Sequence, residues 1–275
     1  MTVLEQIQAF SQKYARRVVL HNTNWTYYKL GSGKAILWLT GGLRRAALGF
    51  GFMEKLGNDH CLIAPDYPPV QTIGEYNQAW DAILQAEGIG SFTLVGQSYG
   101  GMLAQAYLAH NPQAVERLIL SSSGPADYGL AWLPVEYFLI LLIRLLPEKT
   151  VKNLLTGGLT KIISVPEKER LEWMEAFDHI LQNDLSRGDV VSHFAVAADL
   201  IRQRSVFPGV YKSWTGKTFI LSSENDPTQS RKDLPHYKKL FGREVEAVNM
   251  GDMGHTALLF NPQEYIHLLE RIMKS

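Results

Sequence analysis

A serine between two glycines is the clearest chemical signal in this sequence. Ser98 stands two positions after Gly96 and two before Gly100. Residues 92–95 are apolar or β-branched and predict a short buried strand, and residues 102–109 predict a helix. A serine on such a strand-to-helix turn has a strained backbone, and the glycines remove Cβ atoms that would collide there. The pattern predicts an exposed nucleophile, although Gly-x-Ser-x-Gly occurs by chance in roughly one chain of this length in ten.

A serine hydroxyl needs a neighbouring base, and His255 is the best candidate among the eight histidines. It alone occupies a glycine-flanked loop just after a late predicted strand. An ionised carboxylate must then orient the imidazole and stabilise its protonated form. Asp226 is favoured for this role because it lies in a tight turn after the penultimate predicted strand, with Glu224 and Asp252 as weaker candidates.

Two backbone N–H groups are candidates for stabilising the negative oxygen that forms when a serine attacks a carbonyl. The N–H of Tyr99 lies at the start of the predicted helix, and the N–H of Gly42 lies in the turn after an early predicted strand. Leu43 is an alternative to Gly42. Each such donor is typically worth about 3–4 kcal/mol of barrier, so these two groups are expected to form an oxyanion hole.

Strand and helix patterns alternate along the chain. The predicted strands are 17–21, 25–30, 34–39, 61–64, 92–95, 117–121, 217–222 and 245–248. Helical patterns separate most of them, which predicts a mostly parallel sheet covered by helices on both faces. Active groups gather at the carboxyl ends of the strands in such sheets. Ser98, Asp66 and residues 40–43 all lie there in this interpretation.

Residues 125–206 interrupt this alternation and predict an inserted helical cap, with the core formed by 1–124 and 207–275. The apolar stretch 130–146 is 17 residues long and contains charged residues and a proline, so it does not predict a transmembrane helix. Pro166 is expected to start a helix with one apolar face. An apolar cap would enclose an apolar substrate. Alternatively, these side chains only attach the cap to the core, and the two interpretations are compatible.

Composition excludes several classes of partner. Lys plus Arg and Asp plus Glu number 27 each, so no net charge favours nucleic acid or an anionic membrane. Cys61 is the single cysteine, which excludes an internal disulfide, and it is expected in a buried strand. No spacing predicts a metal site, a phosphate-binding loop or a dinucleotide site. Residues 1–21 lack an uninterrupted apolar run, so we expect no signal peptide, no stable membrane insertion and a cytoplasmic location.

Four features, in this order and each at a predicted strand end, resemble the α/β-hydrolase superfamily over nearly the whole chain. They are the Thr40-Gly41-Gly42 turn, the Ser98 elbow, the Asp226-Pro227 turn and the Gly254-His255 loop. The chain order of serine, acid and histidine is that of this fold. The resemblance implies an eight-stranded, mostly parallel sheet with a helical cap. It also implies a catalytic triad of Ser98, Asp226 and His255 that works without a cofactor. Many members have His-Gly where this chain has Thr40-Gly41, which affects the hydrogen bonding of that turn.

The expected activity is that of a serine hydrolase cleaving a carboxylic ester or related acyl bond of a small, largely apolar substrate. Haloalkane dehalogenases and epoxide hydrolases of this fold use an aspartate nucleophile, and position 98 is serine. Carbon–carbon bond hydrolases, hydroxynitrile lyases and cofactor-free oxygenases share the same motifs and remain alternatives. A ligand receptor without turnover is a further alternative, because fold does not determine function. The oligomeric state is left open.

Three further charged residues lie near these motifs. Asp66 is followed by two prolines and is expected to be structural. Arg44 and Arg45 lie just past the oxyanion turn, where they either pair with a substrate carboxylate or form a solvated surface.

Overall fold

The computed structural model of the chain describes residues 1–163 and 165–274, apart from the side chain of residue 160. Within these residues an eight-stranded sheet lies at the centre. Its strands are β1 (Ala15–Leu20), β2 (Thr23–Leu30), β3 (Lys34–Leu39), β4 (His60–Pro65), β5 (Phe92–Gln97), β6 (Val115–Ser121), β7 (Lys217–Ser222) and β8 (Glu246–Asn249). Their order across the sheet is β1-β2-β4-β3-β5-β6-β7-β8. β2 is antiparallel to β1 and β4 and the other pairs are parallel, which confirms the predicted mostly parallel sheet.

The central strands are continuously apolar because both faces of the sheet are covered. Every residue of β5 is buried, as are the last four residues of β3 and of β6. The edge strand β1 differs, since its residues are exposed or only half-buried. Cys61 is buried in β4, as expected.

Helices cover both faces of the sheet, which confirms the predicted class of fold. They are α1 (Val3–Tyr14), α2 (Phe50–Leu56), α3 (Ile73–Ala86), α4 (Tyr99–His110), α5 (Leu133–Leu145), α6 (Glu148–Ile162), α7 (Arg170–His179), α8 (Arg187–Gln203), α9 (Asp233–Phe241), α10 (Ala257–Phe260) and α11 (Pro262–Lys274). Successive strand residues point to opposite faces. Leu94 packs in the core that includes α3, α4 and α9, and Val95 packs in the core that includes α1, α2 and α11.

Reciprocal caps set the start of two helices that matter for the site. Thr72 precedes α3, where its hydroxyl accepts from the N–H of Glu75 at 3.2 Å and the Glu75 carboxylate accepts from the N–H of Thr72 at 2.9 Å. The two hydrogen bonds together form a capping box. Ser186 and Asp189 form the same arrangement at the start of α8.

The segment between β6 and β7 carries α5, α6, α7 and α8. The apolar stretch 130–146 forms a 3₁₀ turn followed by α5, with Pro134 in the first turn of the helix, where its missing N–H costs little. The helix expected from Pro166 begins at Arg170 instead. Leu171, expected on its apolar face, is 73% exposed. The boundaries of a cap at 125 and 206 stay a prediction.

Among residues 1–163 and 165–274, the helices are all too short or too polar to cross a membrane.

Candidate active site

The turn between β5 and α4 carries Ser98 in a strained conformation, with φ 53° and ψ −120°. The glycines on either side are required by close backbone approaches. A Cβ on Gly96 would lie 2.5 Å from the carbonyl oxygen of Gly100, and a Cβ on Gly100 would collide with the carbonyl oxygens of Leu39 and Thr40. The turn therefore depends on both glycines, and strain of this kind persists only where the surrounding structure imposes it.

Ser98, His255 and Asp226 come together from three different strand ends. His255 Nε2 lies 3.0 Å from Ser98 Oγ, and His255 Nδ1 lies 3.0 Å and 3.1 Å from the two carboxylate oxygens of Asp226. The Asp226 side chain is fully enclosed and the His255 side chain is 8% exposed. The three side chains thus form a continuous chain of contacts from a buried carboxylate to a hydroxyl.

The two weaker carboxylate candidates are elsewhere. Glu224 is exposed, and its carboxylate accepts a hydrogen bond of 2.9 Å from Asn249 Nδ2. Asp252 is exposed as well. Asp226 is the carboxylate that contacts His255, as the sequence favoured.

Thr228 is a part of this arrangement that the sequence analysis missed. Its hydroxyl donates to Asp226 Oδ1 at 2.7 Å, its N–H donates to the same oxygen at 2.9 Å, and its Oγ1 lies 3.0 Å from His255 Nδ1. Burial raises the pKa of Asp226, but the hydrogen bonds from His255 and Thr228 outweigh it and hold the pKa below its ordinary value. An Asp that accepts from the N–H two residues later is a common turn, so the Asp-Pro-Thr sequence contained a signal for this contact.

Two further polar side chains hold the loop that carries His255. Gln97 Nε2, one residue before Ser98, donates to the carbonyl oxygen of His255 at 3.1 Å. Ser223 Oγ accepts from the N–H of Gly254 at 2.8 Å and donates to the carbonyl oxygen of Gly251 at 2.6 Å. The loop is therefore tied to both β5 and the turn after β7. Neither contact has a signal in the sequence, because the partners are far apart along the chain.

A cavity of about 630 Å³ adjoins these residues. Ser98, His255, Gly42, Leu43 and Tyr99 all line it. A Cβ on Gly42 would be 4.0 Å from Tyr99 Cβ, so the two candidate oxyanion donors belong to adjacent segments. Most of the remaining lining is apolar and includes Leu155, Leu159, Ile162, Leu181, Leu185 and Leu258. The nucleophile candidate thus faces a largely apolar space.

Comparison with known proteins agrees with this architecture. A family model described as alpha/beta hydrolase fold matches residues 47–262. The chain belongs to the α/β-hydrolase fold family. Comparison with curated protein sequences gives no match.

Solved structures of other α/β hydrolases resemble this one at low sequence identity. Cfl2 from Burkholderia cenocepacia is 18% identical, with a TM-score of 0.70 over 94% of this chain and 95% of that one. Est816, described as an N-acyl homoserine lactone degrading enzyme, is 18% identical, with a TM-score of 0.69 over 93% and 99%. A loop variant of the haloalkane dehalogenase DbeA from Bradyrhizobium elkanii is 14% identical, with a TM-score of 0.68 over 94% and 96%. At these identities the likeness shows the fold alone.

His193, on α8, is a second histidine that lines the cavity of this α/β hydrolase. Its ring stacks on Tyr99 with the centroids 3.9 Å apart, and its Cε1 lies 3.4 Å from where a Cβ of Gly42 would be. Burial and the nearby charge of Arg44 lower the pKa of His193 to about 3, so the ring is neutral at ordinary pH. His193 was not selected from the sequence, because it does not lie in a glycine-flanked loop.

Arg44 is buried, and its Nε and Nη2 already donate to oxygens of the surrounding segments. It is 1% exposed, and its Nη2 donates to the carbonyl oxygen of Pro68 at 2.7 Å, to Tyr76 OH at 2.9 Å and to Ser192 Oγ at 3.0 Å. Its Nε lies 3.5 Å from Asp189 Oδ1. The expectation of a surface arginine is therefore wrong, because partners distant in sequence enclose this side chain and join the turn after β3 to α8.

Asp66 also has a positioning contact in the α/β-hydrolase core. Its Oδ1 accepts from the N–H of Ala46 at 2.7 Å, and its Oδ2 accepts from Tyr28 OH at 3.4 Å. Burial raises the pKa of Asp66 to about 6. These contacts agree with the structural role expected from the sequence.

No group of three or more His, Cys, Asp or Glu side chains within the described ranges is arranged to bind a metal ion.

Proposed function

We propose that this protein is a serine hydrolase that cleaves a carboxylic ester or related acyl bond through an acyl-enzyme. The observation that carries the proposal is the contact chain from Asp226 through His255 to Ser98, with 3.0 Å between His255 Nε2 and Ser98 Oγ. Nucleophile and base within hydrogen-bond distance, with the base oriented by a third group, is the arrangement that such catalysis requires.

In the proposed mechanism, Ser98 attacks the substrate carbonyl while His255 Nε2 takes the hydroxyl proton. His255 then gives that proton to the leaving group, and the acyl group remains on Ser98. Water enters, His255 removes its proton, and the resulting attack releases the acid and restores the serine. Asp226 keeps the proton on Nδ1 throughout and stabilises the imidazolium. Asp226 suits this role because its low pKa keeps the carboxylate ionised.

The backbone N–H groups of Gly42 and Tyr99 are proposed to bind the oxyanion, with Leu43 as the alternative to Gly42. All three residues line the cavity beside Ser98. A backbone donor does not need the histidine that many family members have before this glycine, so Thr40 is compatible with an oxyanion hole. Each donor is worth about 3–4 kcal/mol of barrier.

The proposed substrate is a small, largely apolar molecule enclosed by a cap formed by residues 125–206. The cavity of about 630 Å³ and its leucine- and isoleucine-rich lining support this choice. The neighbouring haloalkane dehalogenase shares the fold, but serine at position 98 favours acyl transfer over aspartate-based chemistry.

A fluorophosphonate probe and a series of p-nitrophenyl esters of several chain lengths test the proposal. We expect wild type to be labelled and to hydrolyse at least one ester, and Ser98→Ala to lose both activities. Ser91→Ala is the matched control, because Ser91 is exposed at the other end of the same strand. Labelling without ester turnover would indicate a carbon–carbon hydrolase or lyase. A wild type that is not labelled would refute Ser98 as nucleophile.

A further inference from the structure

The cavity contains one acidic side chain that forms no ion pair with any described residue. Besides its histidines, the charged residues that line the described cavity are Arg44, Asp189 and Glu136. Asp189 Oδ1 lies 3.5 Å from Arg44 Nε and 3.5 Å from Arg45 Nη2, so these charges compensate one another. Glu136 has no such partner among the ion pairs of the described residues.

Glu136 lies in the first turn of α5 and points toward the cavity without serving as a cap. Its Oε2 is buried and has no hydrogen-bond partner within the described part of the chain. Burial raises the pKa of Glu136. A buried carboxylate oxygen without a donor is costly, and a native structure retains such a group where something else satisfies it. The remaining candidate partner for Glu136 Oε2 is a ligand bound in the cavity.

Aromatic residues also line this cavity. Tyr128, Trp132 and Tyr99 line it together with Glu136. Trp132 lies four residues before Glu136 on the same helical face. Burial raises the pKa of the Tyr128 phenol, and the nearby charge of Glu136 raises it further. A carboxylate among aromatic rings is the setting in which proteins bind organic cations, because the ring faces also attract positive charge.

We propose that Glu136, Tyr128 and Trp132 form a subsite for a protonated or quaternary amine, so that the substrate is an ester carrying a cationic group. This deepens the proposed hydrolase function and rests on it for the reaction, but the binding site itself does not depend on Ser98. Tyr128 and Trp132 line the cavity and are 42% and 53% exposed, so a ligand that enters from solvent can reach both residues.

Arg44 is the residue that would instead favour an anionic substrate. Its Nη1 is also buried and has no hydrogen bond among the described residues. Two observations favour the cation. Arg44 already faces Asp189 and donates to neutral oxygens of the surrounding loops. Among the described residues Glu136 has no counter-ion, and its Oε2 has no donor. An anionic preference is therefore the outcome that directly opposes the proposal.

A binding measurement tests the amine subsite independently of the proposed hydrolase reaction. Choline and its uncharged isostere 3,3-dimethylbutan-1-ol are titrated calorimetrically into wild type, Glu136→Gln and the control Glu167→Gln, whose side chain is 89% exposed. We expect wild type and Glu167→Gln to bind choline at least tenfold more tightly than Glu136→Gln does. Equal binding of the uncharged isostere by all three proteins would show that the cavity is intact. Absence of choline binding to wild type, or equal choline binding by wild type and Glu136→Gln, would overturn the subsite.

Turnover provides the second readout. The substrates are p-nitrophenyl 4-(dimethylamino)butanoate, its uncharged isostere p-nitrophenyl 5-methylhexanoate, and the anionic p-nitrophenyl glutarate monoester. We expect wild type to prefer the amine by about tenfold or more in kcat/KM, and Glu136→Gln to lose that preference while still hydrolysing the uncharged ester. Preference for the glutarate would assign the cavity to anions and refute the proposal. Choline binding without hydrolysis of any ester would instead refute the hydrolase function and retain the subsite.

Discussion

The loops at the carboxyl ends of the strands and the helices α5 and α6 both border the cavity, but they are fixed in different ways. Around Ser98 the polar side chains have defined partners, and Asp226 alone accepts from His255 and from two groups of Thr228. On α5 and α6, by contrast, Phe138, Leu145 and Leu154 are 60%, 73% and 63% exposed.

The same contrast separates two pairs of helices in the segment between β6 and β7: α7 and α8 on one hand, and α5 and α6 on the other. Trp173 and Phe177 of α7 belong to the core under the sheet, and the start of α8 is joined to the turn after β3 through Asp189 and Arg44. These contacts attach α7 and α8 to the core of the fold. We infer that the proposed catalytic residues lie in the region around Ser98, where the polar side chains have defined hydrogen-bond partners. We also infer that α5 and α6 contribute to substrate selection and that their sequences can vary more freely.

The largest expected effect is on kcat and comes from removing the negative charge of Asp226. Asp226→Asn should lower kcat for an accepted ester by about 10⁴-fold, because an amide stabilises the wrong tautomer of His255 and not its protonated form. Glu224→Gln, two residues earlier and exposed, should leave kcat unchanged. Steady-state kinetics on both variants test the contrast. Similar losses in the two variants would mean that the turn, not the Asp226 carboxylate, is what matters.

A pair of glycine substitutions compares the two regions through stability. Gly100→Ala should lower the free energy of unfolding by about 3 kcal/mol, because the new Cβ would meet backbone oxygens that cannot move aside. Gly157→Ala should raise it by roughly 0.5–1 kcal/mol, because alanine favours the helix and a Cβ there meets no atom of the described residues within 4 Å. Urea denaturation measures both. A destabilising Gly157→Ala would contradict the view that α6 is loosely packed.

A smaller effect than at Gly100 is expected at Thr228. Thr228→Val keeps the shape but removes the hydroxyl that donates to Asp226, so the pKa of Asp226 should rise toward its ordinary value. Because Asp226 has a lowered pKa in the folded protein, its contribution to stability is present above about pH 4 and is lost as the pH falls further. The variant should therefore be less stable than wild type by about 1 kcal/mol at pH 7, with the difference shrinking as the pH falls and Asp226 becomes protonated.

Urea denaturation at several pH values tests this, with the exposed Ser230→Ala in the same turn as control. A stability difference that stays constant down to pH 2 would assign the effect to packing instead of to the charge of Asp226.

Much of the fold and the site follows from local sequence. The eight strands were predicted within a few residues, because buried parallel strands need continuous apolar runs wherever they occur. Ser98, His255 and Asp226 were found because each stands in a turn whose backbone demands glycine or favours an Asp-Pro pair. The helix predicted from Pro166 began later, and the predicted exposure of Arg44 was wrong.

The sequence by itself determined the strand order in the chain, the elbow at Ser98 and the candidates for acid and base, since each depends on residues that are neighbours in the chain. Only the tertiary structure decided that Arg44 is enclosed, that His193 stacks on Tyr99 and that Glu136 lines the cavity without an ion pair to any described residue. The physical reason is that burial and charge compensation depend on which distant segments pack together, and no local pattern contains that information.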